Sequence, residues 1–165
     1  MIARILTAAI LAGCAAAHAA PPLTADELAV CARHVQQLRS ESARILERNA
    51  QLDAQRERIL ARSRALEAAP QQPELEQRLA LHQQRAQHRD ETIAFNRKIE
   101  RIRAEIAALN ETWRDYDARC ANRPYDRRDL EQLPPAAADA MRAGLADVRV
   151  PYIPDAMPTP PGEAY

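Results

Sequence analysis

A hydrophobic repeat with alternating steps of three and four residues runs without interruption through the first half of the chain. Its positions are Leu28, Cys31, Val35, Leu38, Ser42, Ile45, Asn49, Leu52, Arg56, Ile59, Ser63 and Leu66. Such a heptad repeat is typical of a helix that packs one narrow face against another helix. A second repeat runs from about Leu81, and its clearest members are Phe95, Ile99, Ile102, Ile106, Leu109, Trp113, Tyr116 and Cys120. The pattern predicts an all-α fold built on a long antiparallel two-helix coiled-coil hairpin.

The first long helix has a marked beginning and end. Thr24 and Glu27 fit a capping box, in which each side chain accepts the backbone N–H of the other residue. Pro70 cannot continue the helix, which is therefore predicted over residues 24–69. Residues 20–23 form a short linker before it.

The second long helix is predicted over residues 74–121. Pro73 suits the first position of a helix, and Asn122 and Pro124 are typical of the end of one. Residues 70–80 are expected to form a wide tip, because the heptad pattern is weak in the early part of this helix.

Within the hairpin of residues 24–122, two cysteines select the register of the helices. If Cys31 faces Cys120, every position of the first repeat meets a position of the second, as far as Arg56 beside Phe95. A register shifted by one heptad suits the short turn better but separates the cysteines by about 10 Å along the axis. That distance is too long for a disulfide. We therefore predict a Cys31–Cys120 disulfide, with two buried free thiols as the alternative.

Residues 123–153 are predicted to form two short helices and an extended segment that pack at the base of the hairpin. Asp126 caps the first short helix and Gly144 closes the second. The apolar stretch 148–153 can dock on the hairpin or pair as an edge strand with a partner. Residues 154–165 are predicted to be a disordered, Pro-rich tail.

The first residues of the chain predict export. Residues 1–19 contain an apolar stretch too short to span a bilayer, and 17–19 fit the small-x-small cleavage pattern of a signal peptide. Residues 11–14 instead resemble a bacterial lipobox, in which Cys14 would carry the lipid. We expect a periplasmic protein, with an outer-membrane-anchored lipoprotein as the alternative. In both cases the mature chain meets an oxidising compartment in which disulfides persist.

Composition and motifs point away from catalysis. The 165 residues include 23 basic and 23 acidic side chains, so no charge excess attracts nucleic acid or acidic membranes. Three glycines cannot build a phosphate-binding loop, and the sequence contains no C-x-x-C or zinc-ligand spacing. His82 and His88 are six residues apart, whereas a metal pair on a helix needs three or four. We predict no enzyme and no catalytic, cofactor-binding or metal site.

Four apolar residues lie off the main repeat: Leu46, Leu60, Leu79 and Ile93. The simplest interpretation is ordinary exposed aliphatic residues. The alternative is a second contact stripe that serves self-association through the hairpin or binds another helical protein.

Three stretches carry a resemblance to a known group: residues 31–38, Phe95-Asn96 and residues 120–125. They are similar to those of uncharacterised small exported coiled-coil proteins of proteobacteria, a group that brings no function with it. The long exported helices also resemble those of tentacle-like periplasmic chaperones of the Skp type. Those chaperones trimerise through a β-rich body, and this sequence predicts no comparable strands.

The sequence predicts a non-catalytic interaction or scaffold protein of the periplasm or envelope, with the hairpin as a rigid arm and an unknown protein partner. The alternative is a periplasmic holdase-type chaperone that engages unfolded clients along the arm. A third hypothesis is a small thiol-redox protein that uses Cys31 and Cys120.

Overall fold

A computed structural model describes the protein over residues 20–69 and 74–158. These ranges contain four helices, which are α1 (Ala25–Glu67), α2 (Leu75–Arg119), α3 (Arg127–Gln132) and α4 (Pro135–Ala143). Within them the only β interaction is a single bridge between Leu23 and Tyr125. The all-α hairpin with short helices after it is therefore confirmed. The predicted export signal, Cys14 and the tail from residue 159 lie outside the described residues.

Helix α1 begins at the predicted capping box. The Thr24 N–H donates to the Glu27 carboxylate at 2.8 Å, and the Glu27 N–H donates to the Thr24 hydroxyl at 3.3 Å. These two bonds satisfy backbone donors that would otherwise lack a partner at the first turn. The helix ends at Glu67, two residues before the predicted boundary.

The heptad seam is the core of the hairpin. The buried seam positions of α1 are Leu28, Cys31, Val35, Leu38, Ser42, Ile45, Asn49, Leu52 and Ile59, and those of α2 are Phe95, Ile99, Ile102, Ile106 and Leu109. Towards the tip the seam opens, since Arg56, Ser63 and Leu66 are only half-buried. The first repeat therefore predicts burial well near the base and less well near the tip.

Polar pairs beside the seam keep one register along the hairpin. Arg48 on α1 bonds Glu105 on α2, and Arg62 donates to Glu91 at 2.7 Å, fourteen residues further along both helices. Midway between them, Lys98 donates to Gln55 at 2.9 Å. Equal heptad steps on both helices are expected for antiparallel packing without slippage.

Helix α2 extends beyond the end of α1. With Arg62 opposite Glu91, the last residue of α1 lies opposite about residue 86, by the common rise of both helices. Every residue from Glu74 to Ala80 is exposed. The tip therefore consists of the first turns of α2, with no turn of α1 beside them.

The two short helices cover the base of the hairpin, as predicted. Leu130 of α3 and Ala138 of α4 are buried in one cluster with Leu28 and the two cysteines, and Leu133 and Met141 pack against it. Leu145 packs against the main seam cluster instead. The short helices thus bury the apolar end that a two-helix hairpin leaves open.

The chain after α4 docks on the hairpin, which was one of the two expectations, but the predictions of where it docks and of where disorder begins are wrong. The extended segment does not stay at the base, because the main chain of Tyr152 bonds Asn49 and that of Met157 bonds Asn96, both in the middle of the hairpin. The tail is also ordered as far as residue 158, and Met157 is 6% exposed within the seam cluster. We name residues 147–158 the strap. Its proline content suggested disorder, but apolar contacts and hydrogen bonds with the hairpin stabilise it.

Removal of the Cys31–Cys120 bond, in the double variant Cys31→Ser/Cys120→Ser, should lower the free energy of unfolding by about 2–4 kcal/mol. The bond joins residues 89 apart in sequence, so its loss frees a long loop in the unfolded chain. Urea unfolding followed by circular dichroism at 222 nm measures the change.

Reducing agent should lower the unfolding midpoint of the wild-type protein and leave that of the double variant unchanged. The double variant therefore controls for effects of the reducing agent that do not involve the disulfide. If the double variant loses less than about 1 kcal/mol in its free energy of unfolding, the seam holds the register without the disulfide.

Candidate functional site

A covalent and ionic clasp closes the base of the hairpin. Cys31 and Cys120 form a disulfide with Cα atoms 5.7 Å apart, so the predicted pairing and its register are confirmed. Both residues are buried, at 1% and 6% exposure. Because thiol–disulfide exchange needs access to a sulfur, this burial favours a structural bond over a catalytic one.

Arg123 joins the two ends of the hairpin around this disulfide. Its guanidinium donates to both carboxylate oxygens of Glu27 at 3.1 and 3.2 Å, and to the carbonyl oxygens of Pro21 and Pro22. The Arg123 bonds, helped by the Thr24 N–H, lower the pKa of the Glu27 carboxyl from 4.5 to about 2. The sequence pattern identified Glu27 only as a cap and gave Arg123 no role beyond a turn.

A groove along the hairpin holds the strap through its main chain. The Asn49 amide donates to the carbonyl of Tyr152. The Asn96 amide donates to the carbonyl of Met157 at 3.0 Å and accepts the Met157 N–H at 2.8 Å. An extended chain without internal hydrogen bonds needs such partners for its N–H and C=O groups. Asn49, a polar residue at a seam position, therefore has a clear structural role.

Burial along the strap repeats every three residues. Pro151, Pro154 and Met157 are buried, whereas the residues between them are exposed. Three residues per turn is the period of polyproline II. The eleven steps from Asp147 to Pro158 cover about 34 Å at the polyproline II rise, which matches about 36 Å of α1 between Arg39 and Ser63. The strap thus lies parallel to α1 with one of its three faces against the hairpin.

Charged and polar side chains hold the strap at its edges. Arg39 donates to both carboxylate oxygens of Asp147 at 2.6 and 2.8 Å, and also to the Gly144 carbonyl. Further along, the Tyr152 hydroxyl donates to Asp53. Arg56 lies 3.9 Å from Asp155. We name the surface formed by Arg39, Asn49, Asp53, Arg56 and Asn96 with the apolar residues between them the strap groove.

The four residues of the predicted contact stripe do not share one surface. Leu46 lines a recess whose other wall includes Val148, and Leu60 lines a second recess together with Met157 and Pro158. Ile93 is half-buried, and Leu79 is 64% exposed at the tip. Two of the four thus border the strap of their own chain.

The tip carries an apolar pair of which the sequence analysis named only Leu79, as a member of the contact stripe. Leu75 and Leu79 are each 64% exposed and lie four residues apart, on one face of α2. The signal was present in their spacing, but the contact stripe did not include Leu75.

Two kinds of feature are absent from the described ranges, metal-ligand clusters and membrane-spanning helices. These ranges contain no group of three side chains that could hold a metal ion. None of their helices is long and apolar enough to cross a bilayer.

No family model, curated protein or solved structure matches the chain. The architecture therefore defines it only as a disulfide-clasped antiparallel helical hairpin with a C-terminal strap.

Asn96→Ala should destabilise the protein by about 1–3 kcal/mol, because it removes both hydrogen bonds to the Met157 main chain. Amide hydrogen exchange should show the Met157 N–H losing its protection while amides of the α1 seam keep theirs. Asn110→Ala, at an exposed position of the same helix, is the control and should change neither quantity. Equal exchange of the Met157 amide in wild type and Asn96→Ala would contradict the assignment.

Acid should weaken the base clasp between about pH 5 and pH 2. The Glu27 pKa is 4.5 in the absence of its partners and about 2 in the folded protein. The contribution of Glu27 to folding stability is therefore complete above pH 4.5 and is lost as the pH falls towards 2. The pKa values of Glu105 and Asp147 are lowered in the same direction by Arg48 and Arg39.

The urea midpoint measured from pH 7 to pH 2 should therefore fall less steeply for Glu27→Gln than for wild type. Glu111→Gln is the matched control, because Glu111 pairs only with Arg114 of its own helix and should leave the slope unchanged. A Glu27 carboxyl that titrates above pH 4 in the folded protein would refute the clasp.

Proposed function

We propose that this chain is a non-catalytic interaction protein of the bacterial envelope, with the hairpin as a rigid arm and α3 and α4 as its base. The observation that carries the proposal is the difference between the two ends of the hairpin. The base is closed by the Cys31–Cys120 bond and by a packed cluster. The tip exposes Leu75 and Leu79 on turns of α2 that have no neighbouring helix.

An exposed apolar pair on a projecting helix end is the kind of feature that a partner helix or groove covers. Seam packing along α1 and α2 fixes the distance of that pair from the base. The tip is therefore the part of the arm where we place contact with a protein partner, either a different protein or a second copy of this chain.

The location in the envelope is part of the proposal. It is supported by the signal-peptide pattern of residues 1–19 and by a disulfide, which is compatible with an oxidising compartment. The periplasm is the favoured location. Anchoring to the outer membrane through Cys14 is the alternative.

A holdase-type chaperone is the second candidate function. It is favoured by exposed apolar side chains away from the tip, namely Val150 at 66%, Tyr152 at 48% and Ile153 at 44%. Together with the tip pair, these strap side chains place exposed apolar surface at two separate parts of the arm, and unfolded clients could contact either part. A dedicated partner would instead concentrate its contacts at one place.

A photo-crosslinking amino acid at position 79 should give one or a few discrete adducts in envelope extracts, since this position lies in the exposed tip pair. The same amino acid at position 107, an exposed site in the second half of α2, is the matched control and should give far fewer adducts. Mass spectrometry then identifies each adduct, including a dimer of this chain.

Equal yields from positions 79 and 107 would contradict a tip interface. Heterogeneous adducts from both positions, together with suppression of client aggregation at stoichiometric ratios, would favour the holdase.

A further inference from the structure

We propose that the strap groove is a binding site for an extended, proline-rich segment of another protein, and that residues 147–158 occupy it in cis. This inference rests on the proposed function and deepens it, because it assigns a second binding surface and the chemistry of its ligand. The bound strap shows what the groove recognises.

Recognition of the ligand backbone comes from two asparagines. Asn96 binds both the N–H and the C=O of one residue, Met157, and Asn49 binds the C=O of Tyr152. These bonds do not depend on the ligand's side chains at those positions. They require an extended conformation, because a helical segment would already use the same groups internally.

Recognition of side chains follows the three-residue period. The buried side chains of the strap are Pro151, Pro154 and Met157, and Met157 joins the seam cluster beside Leu60. Proline favours polyproline II before binding, so such a ligand loses little conformational entropy when it docks. The groove therefore selects the pattern Pro-x-x-Pro-x-x-Met, or a close apolar equivalent at the third position.

Arginines of the groove face acidic residues of the strap, so acidic residues are part of the expected ligand sequence. Arg39 forms a two-pronged pair with Asp147, four residues before the first proline. Arg56 lies 3.9 Å from Asp155, directly after the second proline. Both arginines belong to α1 and both carboxylates belong to the strap. A partner segment should carry acidic residues at one or both of these positions.

The strap competes, within the same chain, with the partner segment for the strap groove. It joins the base through Gly144, whose φ of 64° marks a sharp change of chain direction after α4. Its outward residues Val150 and Ile153 are 66% and 44% exposed. A tethered segment has an effective concentration of about millimolar, so a free peptide should bind weakly until the strap is loosened.

The test uses the full chain with substitutions confined to the strap. A fluorescent synthetic peptide of residues 146–158 is titrated with wild type and with Asp147→Ala/Met157→Ser, and binding is followed by anisotropy. The loosened variant should bind the peptide at least tenfold more tightly than wild type. Pro151→Gly/Pro154→Gly is a second loosened variant that keeps Met157, and circular dichroism verifies that each variant remains helical.

Matched peptides and groove variants test the mode of binding. A peptide with serine in place of Pro151, Pro154 and Met157 should bind at least tenfold more weakly. A peptide with serine in place of Val150 and Ile153 should bind within about twofold of the original. Asn96→Ala added to a loosened variant should weaken binding at least tenfold, whereas added Asn110→Ala should not.

Three results would overturn the inference. The first is that neither folded loosened variant binds the peptide at millimolar concentration, and the second is that both substituted peptides lose the same amount of affinity. The third is that light scattering shows a dimer of the wild-type chain in which the straps are exchanged. Adducts at position 79 do not depend on the groove. If adducts form at position 79 and the peptide does not bind, the groove proposal is rejected and the tip interface stands. If the peptide binds and no adducts form, the tip interface is rejected and the groove proposal stands.

Discussion

The register between the two long helices is the constraint on which the rest of the structure depends. A slip by one heptad would separate Cys31 from Cys120 and would move Asn49 and Asn96 relative to each other. Because those asparagines lie on different helices and bind the same strap, the strap can dock only in the observed register. The disulfide and the strap therefore support the same alignment from two different places on the hairpin.

The polar residues of the seam divide the hairpin into two parts. From Leu28 to Ile45 the seam is almost entirely apolar, and its first positions, Leu28 and Cys31, form one cluster with residues of the short helices. From Arg39 towards the tip, the strap lies beside α1 as a third chain and provides a partner for the Asn49 amide. A two-helix seam buries little apolar surface per residue, so this third chain extends the core towards the tip.

The helices and their pairing were predictable, because heptad spacing and a capping box are local signals that survive folding. The disulfide was predicted together with the register in which Cys31 faces Cys120, which aligns both repeats. The strap was not predictable in the same way, since proline-rich composition is shared by disordered tails and docked polyproline II segments. Only the spacing of Pro151, Pro154 and Met157 contained a hint. The bonds from Asn96 and Arg39 join residues far apart in sequence, which no local pattern specifies.

The position of the disulfide gives the hairpin the topology of a closed ring. Residues 31–120 form a covalent cycle that includes nearly all of both long helices. A protease that cuts the backbone once at the exposed tip would produce two polypeptides that stay bonded to each other at the base. Such a nick would leave the seam paired, so the arm could lose the continuity of its chain and still keep its shape.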